Sequence, residues 1–399
     1  MTFYFLLKKS ALFRQLRDKV IMPADNNISM NGDRKFRFNF FRMGEWFQIV
    51  VDDKLPLERG STTSLSGEWW VPLIEKAYAT FNGSYDNIVG GRIGWGLTEL
   101  TGGISTNIKL SYNLIKSIGI NKFESFFYEY LNKNAICSTG NLVADGAQTS
   151  GVEDLEVNGL VTRHAYSILG LLKVETSEGK ETLIRLRNPW GELEWNGKWS
   201  DQSDEWNHVK EDKRVKEKDD GVFYMSLIDW IKQFEMFCLC HVEIDRNNEQ
   251  RVIGKLTPGI NAALVNPNLR ASQYKRAVEK ENLQLTLYVE KDQDVWIQML
   301  HETKNPKERS YVTLTIFKSQ SSPTERMNFE FYKRSTRSIV SPRISPRKEF
   351  DEYHLYEHNG FCYRLTAGKY LMFAGYIVPN QRHYMIRVVG KGLTLKMLE

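Results

Sequence analysis

Cysteine is scarce in this chain. There are four in 399 residues, at no regular spacing, so there is no disulfide framework of the kind that staples small secreted domains. Cys238 and Cys240 stand one strand period apart, on one face of a strand, and not at the C-x-x-C spacing of a redox or zinc pair. A reducing, cytoplasmic setting fits this usage. No apolar run reaches the roughly 18 residues that cross a bilayer. The opening M-T-F-Y-F-L-L is short and is followed by Lys8 and Lys9, the reverse of the basic-then-apolar order of a secretory signal. Calcium loops of the D-x-[DN]-x-[DN]-G form are missing, and no repeat recurs at a period of about 20 to 50 residues. Charge of one sign is not in excess either: the net charge of +5 is mild and points to no nucleic-acid partner. With 41% hydrophobic and 26% charged residues, the chain has the composition of a globular protein and length enough for two or three domains.

Two segments carry the chemistry. Residues 158 to 167 read N-G-L-V-T-R-H-A-Y-S, and residues 183 to 199 read L-I-R-L-R-N-P-W-G-E-L-E-W-N-G-K-W. Tyr166, Ile168, Leu172 and Val174 share one strand parity, and Thr182, Ile184 and Leu186 share another. Leu169, Leu171 and Leu183 are apolar on the opposite faces, as in strands covered on both sides. V-E-T-S-E-G-K-E between the runs reads as a hairpin connection. Pairing of the two strands brings His164, at the start of one, near Asn188, at the end of the other. A histidine held by an asparagine is the base-and-orienter half of a Cys-His-Asn peptidase site. Pro189 fixes the backbone after the asparagine, and Trp190 follows. The plainer readings of the same residues are a strand-end histidine with a structural hydrogen bond, an Asn-Pro turn and a core tryptophan. The nucleophile is missing: upstream of His164 the only cysteine is Cys137, in the wrong place for it.

Longer stretches carry a family resemblance. F-R-M-G-E-W-F-Q-I-V-V-D-D-K-L-P (41 to 56), G-E-W-W-V-P-L-I-E-K-A-Y-A-T-F-N-G-S-Y (67 to 85), T-G-G-I (101 to 104) and D-G-V-F-Y-M-S-L-I-D-W-I-K-Q-F (220 to 234), with the His and Asn segments, resemble the calpain family of calcium-dependent, papain-like cysteine proteases. Matches of this length and order are far more specific than a short motif. The resemblance implies an α+β fold: residues 1–104 as a mainly helical remnant of the first protease subdomain, 105–244 as the second subdomain, and 250–399 as an all-β, C2-like sandwich. The last assignment also rests on alternation at Leu283–Val289, Val295–Met299, Val312–Ile316, Tyr370–Ala374 and Tyr384–Val388. Helical spacing is expected at Leu12, Leu16 and Val20 and at Ile74, Tyr78 and Phe81. No penta-EF-hand subunit partner is expected.

In the family, the nucleophile lies in a segment resembling G-x-C-W-F-L-A-A-x-S-A-L. Aligning Ser10-Ala11-Leu12 puts Phe3 at the cysteine and Tyr4 at the tryptophan. A phenylalanine cannot attack a carbonyl, so the chain as written is expected to be catalytically inactive. Two accounts remain open: a pseudoprotease or shortened isoform, or a start set inside the catalytic helix. The family also usually has glycine where Arg163 precedes the histidine; a cation there disfavours a protonated imidazole. Glu194, Asp201 and Asp220 match acidic positions of the second subdomain's calcium site, and Glu75 one of the first's. Val222 falls on a further ligand position and offers no side-chain oxygen, so weakened Ca2+ binding is expected. The partner implied is a protein substrate or, in the non-catalytic alternative, a scaffold partner. Residues 333–348, K-R-S-T-R-S-I-V-S-P-R-I-S-P-R-K, carry six basic residues and no acid. They read as a solvated loop or as a contact for an anionic membrane surface, which phosphorylation at Ser341 or Ser345 would weaken.

Overall fold

The structure, a computed structural model, describes residues 35–58, 61–62, 70–141, 156–177, 179–209, 220–256, 259–261, 283–302, 311–320, 327, 339–340, 360–378 and 381–398. The stripe at Leu12, Leu16 and Val20, the segment around Phe3 and Tyr4, and most of 333–348 lie outside the described residues.

Alternation decides the first described segment. In K-F-R-F-N-F-F-R phenylalanine recurs at every second position, and Lys35–Arg42 (β1) is a strand that buries Phe38 and Phe40. Glu45–Asp52 (β2) returns beside it. The turn between them has positive φ at both Met43 (49°) and Gly44 (88°), the backbone of a type I′ hairpin. Residues 35–52 are thus not helical as expected, because the phenylalanine period is two and not 3.6. Helix does form at Trp70–Phe81 (α1). There Tyr78 and Phe81 pack on Phe40, with ring centroids 5.5 and 5.1 Å away.

The described residues divide into two compact units. One takes those up to Phe40, Gln48–Tyr85 and Ile108–His241; the other takes Phe41–Phe47, Asp86–Asn107 and those from Val242 onward. In the first unit, five antiparallel strands run in the order β6-β5-β4-β3-β7, where β3 is Ile136–Gly140, β4 Ala165–Thr176, β5 Gly179–Arg187, β6 Val222–Ser226 and β7 Met236–His241. The β4–β5 hairpin is longer than the sequence suggested, because Glu175, Thr176, Gly179 and Lys180 join the ladder. Pairing runs from Gly179↔Thr176 to Arg185↔Gly170 and then shifts, so that Leu186 faces Ile168 and Leu169 is left over as a bulge. An aromatic cluster fills the core here. Phe123 and Phe127 of helix Ile120–Asn132 (α3) meet Trp230 of helix Leu227–Gln233 (α4) and Phe237 of β7. The buried indole of Trp230 donates to Thr139 Oγ1 at 3.1 Å, so its N–H is not stranded in the core.

The second unit contains a β-sandwich. One sheet orders β8-β15-β10-β13 (β8 Glu249–Leu256, β10 Gln293–His301, β13 Gly360–Leu365, β15 Arg382–Val389). The other orders β12-β11-β14-β9-β16 (β9 Leu283–Val289, β11 Tyr311–Ser319, β12 Ile339–Val340, β14 Gly368–Val378, β16 Leu393–Met397). Their facing sides share one core, to which Leu285, Leu287, Ile297, Tyr363, Met372 and Ile386 belong. All five runs expected from alternation are strands.

Helix Ile93–Thr101 (α2), in the same unit, ends at Gly102 with φ 68°. The carbonyls of Gly102 and Gly103 accept from fully buried Arg387, at 3.0 and 2.5 Å. The same guanidinium holds Gln298 Oε1 at 2.9 and 2.6 Å. Each contact satisfies a donor that burial would otherwise strand. No helix among the described residues is long and apolar enough to cross a membrane.

Candidate active site

His164 stands one residue before β4 and Asn188 one residue after β5, at the same end of the hairpin. Their side chains meet: His164 Nε2 and Asn188 Oδ1 are 2.8 Å apart. His164 is only 5% exposed and Asn188 is fully buried. The amide cannot be reversed. Its Nδ2 donates to the carbonyls of Glu192 (2.6 Å) and Leu193 (3.1 Å), while Oδ1 accepts from the Trp190 backbone N–H at 3.1 Å. The atom facing the imidazole is therefore an acceptor, so Nε2 carries the proton and Nδ1 is the basic nitrogen of the neutral ring. Trp190 covers this pair, with its ring centroid 4.7 Å from that of His164, and Tyr166 meets the imidazole edge-on at 5.0 Å.

The backbone around both residues is held by groups that sequence reasoning missed. Asn141 Oδ1 accepts the His164 backbone N–H at 3.2 Å, and its Nδ2 donates to the Val161 carbonyl at 2.9 Å. One side-chain amide thus bridges the first and fourth residues of the turn Val161–His164, in place of the usual backbone hydrogen bond. Within that turn Arg163 has φ +55°. Glycine suits that conformation, and it is the residue that the resemblance implied there. Under Asn188, Gly221 (φ +78°) gives its carbonyl to the Asn188 N–H at 2.8 Å. A Cβ on Gly221 would sit 2.8 Å from the Asn188 carbonyl oxygen. Asn141 lies 23 residues from His164 and Gly221 lies 33 residues from Asn188, and no local pattern links them. The D-G pair at 220–221 was the one available hint of a turn.

The acidic positions are placed less convergently. Glu194 Oε1 accepts the Gly221 N–H at 2.7 Å, and Asp220 Oδ1 accepts the Val222 N–H at 3.1 Å. These two are therefore neighbours, with Asp220 exposed and Asp201 half-buried. Glu75 lies apart on α1, where burial pushes its carboxyl up from the usual carboxylate range. Among the described residues no group of three or more His, Cys, Asp or Glu is arranged to hold a metal ion. The described carboxylates therefore do not by themselves make up the oxygen shell of six to eight ligands that calcium takes.

All four cysteines are buried free thiols. Cys137 lies on β3, opposite Ile168 on one side and Leu239 on the other. Burial pushes its thiol far up, and that of Cys238 likewise, away from the thiolate that nucleophilic attack needs.

The model of the family described as calpain family cysteine protease matches residues 7–241. Human Calpain-8 is 36% identical over 242 residues, covering 58% of this chain and 33% of that protein. The Calpain-2 catalytic subunit of Mus musculus is 34% identical over 235 residues, 56% and 32% respectively. Human Calpain-14 is 32% identical over 266 residues, 65% and 35%. The matches thus span about a third of the length of these relatives. With more than half of the chain matched, it belongs to the calpain family of cysteine proteases.

Proposed function

We propose that this chain carries the base-and-orienter half of a papain-like, calpain-type endopeptidase site, and that its own 399 residues do not complete peptide hydrolysis. The observation behind this reading is the His164–Asn188 pair at 2.8 Å, shielded by Trp190 and oriented by a locked amide, in a chain whose four thiols are all buried.

Given an accessible thiol at the imidazole, His164 Nδ1 takes its proton. The thiolate attacks the peptide carbonyl, and the imidazolium returns the proton to the leaving amine. Water deprotonated by the same nitrogen then releases the acyl group. Asn188 accepts the Nε2–H throughout and keeps the ring in the one useful tautomer. In this reading residues 1–104 and 105–244 are the two protease subdomains and the sandwich is the C2-like domain. Calcium enters through family membership alone. Glu194 and Asp220, which meet the adjacent Gly221 and Val222 backbone N–H groups, would be ligands in the resemblance, with Asp201 and Glu75 as further ones.

The test compares the 399-residue chain with a chimera in which a relative's G-x-C-W segment is fused ahead of it. Both are assayed on a fluorogenic peptide and with an epoxysuccinyl thiol probe, with and without calcium. The chain alone should neither cleave nor label. The chimera should do both, and should lose cleavage with His164→Ala or Asn188→Ala. Cleavage by the chain alone that His164→Ala abolishes would overturn the inactive reading. A chimera indifferent to both substitutions would overturn the site.

The non-catalytic alternative, a scaffold held to an anionic membrane by residues 333–348, is favoured by the six basic residues and no acid in that run. It predicts co-sedimentation with vesicles that rises with anionic lipid and falls with salt. Binding independent of anionic lipid would remove it.

A further inference from the structure

Arg163 is a strained residue of the candidate site, as is Leu193 (φ +61°), whose carbonyl accepts from Asn188. The Arg163 φ of +55° places a non-glycine side chain in the left-handed region, where the Cβ crowds the backbone. The conformation is imposed from both sides, because Asn141 holds the Val161 carbonyl and the His164 N–H. Glycine would occupy the same turn without strain. Yet the residue present has one of the largest side chains, and its guanidinium has no hydrogen bond and no ion pair among the described residues. The side-chain polar groups of Asn141, Tyr166 and Asn188 are engaged around His164, and the Trp190 backbone N–H is held by Asn188. Arg163, half-buried, is the one cation next to it in sequence with no described partner. A strained cation with no partner among the described residues, beside a locked base, leaves its donors open to an external anion.

We propose that Arg163 is a specificity-determining residue, forming an anion subsite that selects a polypeptide with an Asp or Glu side chain flanking the residue seated over the His164–Asn188 pair. The inference rests on the reading that a polypeptide lies over that pair. The geometry is short-range. Adjacent Cα atoms are about 3.8 Å apart, so a guanidinium on residue 163 is within one side-chain length of a chain bound at the imidazole. A guanidinium takes a carboxylate through two parallel N–H donors, a geometry that neither a neutral side chain nor a lysine ammonium on the bound chain can share.

The test is fluorescence anisotropy with the full chain and labelled ten-residue peptides. A single Asp is moved through the central positions of an otherwise neutral sequence, and the all-neutral peptide serves as reference. The best Asp peptide should bind about tenfold more tightly than the neutral one, a preference that weakens as salt rises. Arg163→Gly should abolish the preference while leaving the melting temperature no lower than wild type, since glycine relieves the turn. Arg163→Lys should keep part of it, and Arg163→Glu should turn it toward a Lys peptide. Trp190→Ala locates the binding. If peptides bind in a Trp190-dependent way and Arg163→Gly leaves the Asp preference intact, the subsite is wrong and the cleft reading stands. If no peptide binds, or binding ignores Trp190→Ala, the cleft reading falls and this inference with it.

Discussion

Replacing Asn188 by alanine should unfasten the candidate site and destabilise the first unit by about 4 kcal/mol. The figure follows from the contacts that one amide makes. Its Nδ2 satisfies the Glu192 and Leu193 carbonyls, and its Oδ1 satisfies the Trp190 N–H and the imidazole Nε2–H. Each such hydrogen bond is worth about 1 kcal/mol net, and a buried partner left alone costs about 1 to 3 kcal/mol. The ring N–H sits at the costly end of that range because His164 is nearly inaccessible to water. Against a typical domain stability of about 5 to 15 kcal/mol, the loss is large but survivable. Urea unfolding followed by tryptophan fluorescence measures it, with Trp190 beside the lesion as one reporter. The transition of the first unit should move to lower urea, while that of the sandwich stays put. A loss below about 1 kcal/mol would refute the reasoning, since it would mean that the four partners find water or each other without the amide.

Three further outcomes follow from the same geometry. His301 on β10 is buried and its imidazole is pushed down to about 4, mainly by burial, with Arg382 adding. Unfolded imidazole binds its proton near pH 6.5, so below that pH the unfolded state takes up a proton that the folded state refuses. Stability should therefore fall as pH drops from about 6.5 to 4, by about 3 kcal/mol, and His301→Gln should flatten that limb of a melting-temperature profile; an unchanged slope refutes it. Gly159→Ala puts a Cβ 1.8 Å from the Glu194 carbonyl oxygen at φ +81°, so a loss of about 3 kcal/mol or more is expected in thermal unfolding, against a null result if the turn can slide. Arg387→Met strands Gln298 Oε1 and the Gly102 and Gly103 carbonyls, and chemical denaturation of the second unit should show a cost of about 3 to 5 kcal/mol.

The two-residue period made the sandwich legible. Leu285, Leu287 and Val289, or Tyr384, Ile386 and Val388, advertise a buried face, and each lies in the shared core. Strand β8 was not legible, because R-V-I-G-K-L breaks its alternation at Gly254. The reason is tertiary: a Cβ there would meet the ring of Tyr384 at 2.6 Å, and nothing nearby in the chain announces that ring. The approach of His164 to Asn188 was readable, since both flank runs of strand character and a hairpin joins them. Their support was not readable, because Asn141 and Gly221 come from other strands and loops, and a buried amide or a tight glycine leaves no periodic trace. For the acidic positions, the resemblance suggested ligands, whereas the backbone N–H of Gly221 already occupies an oxygen of Glu194. Competition of that kind is invisible until the fold is known. β1 was missed because the whole of residues 1–104 was expected to be mainly helical from the resemblance, and the two-residue spacing of its phenylalanines was not read.

The single leftover residue in the β4–β5 ladder sets a counting rule for how such a chain can change over generations. Directly paired residues point to one face, and each step along a strand alternates faces. Before the shift, paired positions sum to 355, as in Arg185↔Gly170; after it they sum to 354, as in Arg187↔Ser167. Continued past the ladder's end, the second sum sets Asn188 level with Tyr166, and hence on the same side as His164 two residues further. The first sum would set it level with Ser167, and the asparagine would point away from the histidine. Leu169 therefore acts as a parity bit. Between the bulge and the site, lineages of this chain can gain or lose residues in pairs, but the loss of one residue there separates base from orienter as completely as mutating either.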